Sequence, residues 1–65
     1  MVKFKLGDRV RIKAKHKKEL RTRYKEGVGT VVICQQTKTR QWCRVQYSES
    51  MFDYEDIGSW RLEHA

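Results

Sequence analysis

Apolar and polar positions alternate with period two over Leu6-Gly7-Asp8-Arg9-Val10-Arg11-Ile12, with Leu6, Val10 and Ile12 on one side and Asp8, Arg9 and Arg11 between them. The pattern predicts a half-buried strand entered through a Gly-Asp turn. The alternation then stops. Lys13 to Glu26 reads KAKHKKELRTRYKE, with little apolar content beyond Ala14, Leu20 and Tyr24, and is expected to be an exposed connection. His16, Leu20 and Tyr24 fall at i, i+4 and i+8, which allows a short helix with Glu19 and Arg23 as an i,i+4 pair. At this length such a helix is marginal unless it docks.

Two glycines lead into a β-branched run at Gly27-Val28-Gly29-Thr30-Val31-Val32-Ile33-Cys34, the clearest strand in the chain. Its inward face is left open, because Val31, Val32 and Ile33 are all apolar and a one-residue slip exchanges the faces. Gln35 to Gln41 is polar and reads as a hairpin loop, and Trp42-Cys43-Arg44-Val45-Gln46-Tyr47 alternates again as the returning strand. Ser48-Glu49-Ser50 is a turn. Met51 to Ser59 lies among Glu49, Asp53, Glu55 and Asp56, and Gly58-Ser59 breaks it before a short closing strand, Trp60-Arg61-Leu62-Glu63. With no proline, internal repeat or low-complexity linker, residues 1–65 read as a single all-β domain.

Four or five short strands, a long first connection and a Gly-X-Gly opening describe a small antiparallel barrel. The motifs LGDRVRI, GVGTVV, CRVQY and SWRLE, in that order, resemble the SH3-like barrels of the KOW and translation-protein type over nearly the whole chain. The same frame is similar to the photosystem I subunit PsaE, the plasmid-encoded dihydrofolate reductase and the barrel portion of the nitrile hydratase β subunit. The last also has an Arg-Tyr element before its glycine segment, here Arg23-Tyr24. The resemblance implies an SH3-like antiparallel barrel of about five strands with a long first loop. Its relatives bind ribosomal RNA, protein partners or a cofactor, so the fold alone does not choose a function.

At 65 residues and 7.8 kDa a two-domain enzyme with an enclosed cleft is excluded. A chain of this size buries only about 60% of its unfolded surface. No apolar stretch approaches the ~18 residues of a membrane span, and the N-terminus lacks the apolar core of a signal peptide, so a cytoplasmic protein without membrane association is the expectation. Charge adds more. Residues 1–26 hold eleven basic and three acidic groups, a balance of +8, whereas residues 27–65 hold four basic and five acidic, a balance of −1. Such asymmetry points to a polyanionic partner, nucleic acid (RNA or DNA) or an anionic membrane surface, because counterion release rewards each phosphate neutralised; the alternative is that the charge simply keeps a small protein soluble.

Catalytic chemistry finds little support. Gly27 and Gly29 have the spacing of neither nucleotide fingerprint and read as bend glycines at a barrel corner. Cys34 and Cys43 bracket the hairpin loop, where a symmetric hairpin would set them opposite each other; two reduced thiols, one facing the core, is the preferred reading. With His16 and His64 they share no metal-ligand spacing, and neither histidine has an adjacent nucleophile. The reductase-like site implied by the resemblance is a Val-Gln-Ile-Tyr segment repeated around a tetramer pore, whereas this chain offers Val45-Gln46-Tyr47 in a different strand. No enzyme and no cofactor are expected. An enzyme assembled by oligomerisation would need a symmetric multimer to build its site.

The functional candidate is the basic stretch: Lys13, Lys15, Lys17, Lys18, Arg21, Arg23 and Lys25 on the first loop, with Lys38, Arg40 and Arg44 in or beside the hairpin. The resemblance implies that these two loops can flank one surface. Trp42, between Arg40 and Arg44, either stacks on a base or covers the open end of the barrel beneath arginine stems. A rival site lies in the acidic segment, where Met51, Phe52, Tyr54, Asp56 and Trp60 would dock on a protein partner, as a regulatory subunit or a viral inhibitor of a host factor would.

Overall fold

The computed structural model describes residues 4–20, Tyr24 and residues 26–65. Gly7 turns the entering chain at φ 91°, a left-handed conformation that favours glycine. Asp8 secures that turn by accepting the Lys5 backbone N–H at 2.9 Å through its carboxylate. The turn displaces the expected start of the first strand: β1 runs Arg9–Ile12, and Leu6, assigned to its apolar face by alternation, is 66% exposed outside it.

A first 3-10 helix, η1 (Ala14–Glu19), follows β1. It stands where the connection could hold a short helix, in the tighter form; the Glu19–Arg23 pairing lies outside the described residues. Then come β2 (Val28–Gln36), β3 (Gln41–Gln46), β4 (Tyr54–Gly58), a second 3-10 helix η2 (Ser59–Arg61) and β5 (Leu62–His64). Trp60 and Arg61 therefore form a turn, and only the end of the expected closing strand is extended. All pairings are antiparallel, in the order β4-β3-β2-β1-β5. Among the described residues no ladder joins β4 to β5, so the sheet is open in its hydrogen bonding.

The facing of β2 is decided by a bulge. Val31 pairs with Val45 and Ile33 with Arg44, so Val32 is the extra residue; Val31 is buried and Val32 exposed. Strand β3 alternates cleanly, with Gln41, Cys43 and Val45 inward. The core is Phe4, Val10, Ile12, Val31, Cys43, Val45, Ile57 and Leu62, drawn from all five strands and the N-terminal segment. Each large aliphatic side chain there contributes roughly 1.5–3 kcal/mol by leaving water.

The one buried amide side chain in that interior performs backbone work. Gln41 accepts the Phe4 N–H through Oε1 at 3.1 Å and donates Nε2 to the Phe4 carbonyl at 3.0 Å. It thus holds Phe4 against the sheet where no strand pairs with it. At the other end of β2, a Cβ on Gly29 would stand 2.3 Å from Val45 Cγ1 and 3.1 Å from Tyr47 Cδ1, and one on Gly27 3.1 Å from Tyr47 Cδ1. The Gly-X-Gly opening thus lets β3 and the Tyr47 ring approach the β2 backbone closely.

Candidate nucleic-acid interface

The first connection is tied to η2 at its root, because Lys13 N–H donates to the Arg61 carbonyl at 2.8 Å. In a 3-10 helix residues three apart lie on one ridge. Lys15 and Lys18 accordingly share an exposed ridge of η1, while His16 and Glu19 share another and bond at 2.9 Å. That contact is the main reason the Glu19 carboxyl sits below the usual range, assisted by the charges of Arg61 and Lys15. Arg61 Nε lies 3.7 Å from Glu19 and is buried without a hydrogen bond among the described residues.

The β2–β3 hairpin also reaches η2. Its turn is closed by Thr37, whose N–H donates to the Arg40 carbonyl at 2.7 Å and whose hydroxyl accepts the Arg40 N–H at 3.0 Å. So fixed, Arg40 places its guanidinium 5.0 Å from the Trp60 ring centroid, and Arg61 stands 5.5 Å from the same ring. The benzo edge of Trp60 occupies the space above Gly58, where a Cβ would come within 2.2 Å of it. Trp60 nevertheless remains 42% exposed, beside a depression of about 250 Å³ that Thr39, Arg40, Gln41 and Ser59 also line. A continuous chain of contacts therefore runs Arg40–Trp60–Arg61–Glu19, with Lys15 acting on Glu19.

Among the described residues Lys13, Lys15, Lys18, Lys38 and Arg40 form no ion pair. Lys17 is engaged with Glu26 at 2.7 Å. Arg44 is held by both oxygens of Asp56, at 2.8 and 3.2 Å, and lies 4.2 Å from the centroid of Tyr54. The bond to Asp56 raises the Arg44 pKa. Lys17 and Arg44 thus contribute less to a cationic face than their positions in the sequence suggest. Arg21, Arg23 and Lys25 lie outside the described residues.

Trp42 is half-buried and its chain neighbours are directed elsewhere, Arg40 to Trp60 and Arg44 to Tyr54. The indole with arginines around it is therefore Trp60, and Arg61 joins the site although sequence reasoning passed over it. Its signal was the Gly58-Ser59 break just before Trp60-Arg61, which marks a turn; the approach of Arg40 is a tertiary contact that spacing does not reveal. The rival set divides as well. Met51 (71% exposed) and Phe52 (82%) stand on the β3–β4 turn, while Tyr54 and Asp56 engage Arg44 and Trp60 lies against the hairpin.

The two cysteines face each other across β2 and β3 as free thiols. Burial, reinforced by Cys34, pushes the Cys43 thiol up to about 12. Cys34 Sγ donates to the Phe4 carbonyl at 3.4 Å. Among the described residues no three His, Cys, Asp or Glu side chains group to hold a metal ion, and no helix is long and apolar enough to cross a membrane. Comparison with family models, curated proteins and solved structures finds no match to the chain.

Proposed function

We propose that this chain is a small SH3-like barrel of the KOW type that binds nucleic acid, without catalysis or a cofactor, through the face formed by η1, the β2–β3 hairpin and η2. The strand order supports the barrel reading: the last strand pairs with the first, a 3-10 turn precedes it, and one core draws on every strand. A single sheet with no covering helix buries such a face by curling around it. The observation that carries the binding reading is a set of cationic side chains that form no ion pair among the described residues, Lys13, Lys15, Lys18, Lys38 and Arg40, on two connections that both contact η2. Lysines contribute phosphate contacts that are indifferent to sequence, so selectivity is weak.

Fluorescence anisotropy with labelled oligonucleotides across a salt series tests this. Log K is expected to fall with log salt by about 0.9 per duplex phosphate contacted. Charge reversal at Lys15, Lys18 and Arg40 together should abolish binding. Absent or salt-insensitive binding overturns the proposal.

The exposure of Met51 and Phe52 on one turn favours a second reading, a protein-docking module. On that reading Phe52→Ser abolishes partner capture while Lys15→Glu and Lys18→Glu leave it intact; the reverse pattern removes it.

A further inference from the structure

We infer that the nucleic acid bound at this face is single-stranded, with an unpaired base stacking at Trp60 while Arg40 holds a flanking phosphate. The inference rests on the nucleic-acid reading above and names the class of ligand. Inside a duplex both faces of every internal base are covered by its neighbours, so an indole reaches one only by unstacking the helix, whereas an unpaired base offers its face directly. Trp60 has the features such a platform needs. It is partly exposed beside an open depression, and its position is set by the bare backbone of Gly58 rather than by burial in the core. Its flanking cations are arginines, and the planar guanidinium of Arg40 can exchange its ring contact for a bidentate phosphate contact without losing charge.

Arg40 is the mobile member of the pair. It forms no ion pair among the described residues, and its own turn is closed by Thr37 and Gln36 through the backbone, so its side chain can leave the ring when a base arrives. Arg61 stays in place, rooted beside Glu19. The other polar groups of the depression do not form a reading edge. The Gln41 amide is committed to Phe4 and Ser59 is buried, which leaves the Thr39 side chain and predicts tolerance of base identity.

The test uses the full chain carrying Trp42→Phe, so that tryptophan emission reports Trp60, and three probes: oligothymidylate or oligouridylate, a duplex hairpin of mixed sequence, and heparin as a polyanion without bases. The single strand is expected to quench the emission and to bind more tightly than the duplex. Trp60→Ala, made in the chain with Trp42 intact, should weaken the single strand roughly 5- to 150-fold, the range of one lost stacking contact. Heparin affinity should change less than about 2-fold, and Trp60→Phe should restore most of the loss. Gly58→Ala removes no charge but displaces the indole, and should weaken the single strand alone. Equal losses on all three probes with Trp60→Ala, or duplex binding at least as tight as single-strand binding, would overturn the inference while sparing the general reading. Failure of every probe to bind overturns both.

Discussion

The ring of Tyr47 lies flat on that of Tyr24, with centroids 4.3 Å apart and planes within 2°. Tyr47 also closes on the backbone of Gly27 and Gly29, so one side chain joins the end of the first connection to the start of β2. A methyl group at residue 29 has nowhere to go, because it meets buried Val45 at 2.3 Å and the Gln46 carbonyl at 3.0 Å. At residue 27 the nearest atoms, at 3.1 and 3.3 Å, belong to the Tyr47 ring, which can shift slightly. Gly29→Ala is therefore expected to cost about 1–3 kcal/mol of stability. Gly27→Ala should cost distinctly less, and urea unfolding midpoints at matched m-values check the order.

The same stacked pair predicts opposite outcomes for two identical substitutions. Tyr24 donates its hydroxyl to Asp53 at 3.1 Å, whereas the Tyr47 hydroxyl is buried and has no hydrogen-bond partner among the described residues. Burial pushes the Tyr47 phenol up to about 12, so it stays un-ionised. Tyr24→Phe should lose about 0.5–1.5 kcal/mol. Tyr47→Phe removes an unsatisfied polar atom and keeps the ring, so its stability should equal or exceed that of the parent, as thermal unfolding of the two variants would show.

Much of this fold was legible because strands with one buried face announce themselves. Val10 and Ile12 in β1 and Cys43 and Val45 in β3 alternate with polar residues and are buried as that alternation requires. Leu6 misleads because Gly7 turns the chain before the strand begins, and a residue beside a turn carries the same letters as one inside a strand. Val31, Val32 and Ile33 could not be assigned faces, since the bulge that separates them depends on pairing with β3. The candidate site was half legible. Charge counting found the lysines of η1, but which cations are neutralised depends on Glu26, Asp56 and Glu63, distant in sequence from Lys17, Arg44 and Arg11.

Acid should weaken the fold through two carboxylates. Asp8 is held below its ordinary value first by the Lys5 backbone N–H and further by His64, and Glu19 by His16. A carboxylate with a depressed folded-state pKa adds stability that is present above its unfolded value and lost as pH falls through the folded one. Stability should accordingly decline as pH drops through and below about 4. Asp8→Asn should flatten that decline, because the amide still accepts from Lys5 but no longer titrates. Urea midpoints measured from neutral pH downward give the slope; an unchanged slope in Asp8→Asn would remove Asp8 from the account.

Gln41 offers the sharpest test of how the N-terminal segment is held. Its amide satisfies both the N–H and the carbonyl of Phe4, and Phe4 itself is a core residue. Gln41→Leu roughly keeps the volume and adds apolarity but leaves those backbone groups without the amide, although Cys34 still donates to the carbonyl. Each buried group left unsatisfied costs about 1–3 kcal/mol, so the variant should be destabilised despite being more hydrophobic. Gln41→Glu separates the two bonds. A carboxylate accepts from Phe4 N–H but cannot donate to its carbonyl, and it faces that oxygen as a buried negative charge, whereas the protonated acid can make both bonds. Gln41→Glu should therefore be much less stable than the parent at neutral pH and recover part of the difference as pH falls toward about 5, against the acid-induced loss of the parent. Amide hydrogen exchange at Phe4, fast in Gln41→Leu and slow in the parent, reads the same contact locally; equal protection in both would mean that the rest of the sheet suffices to hold it.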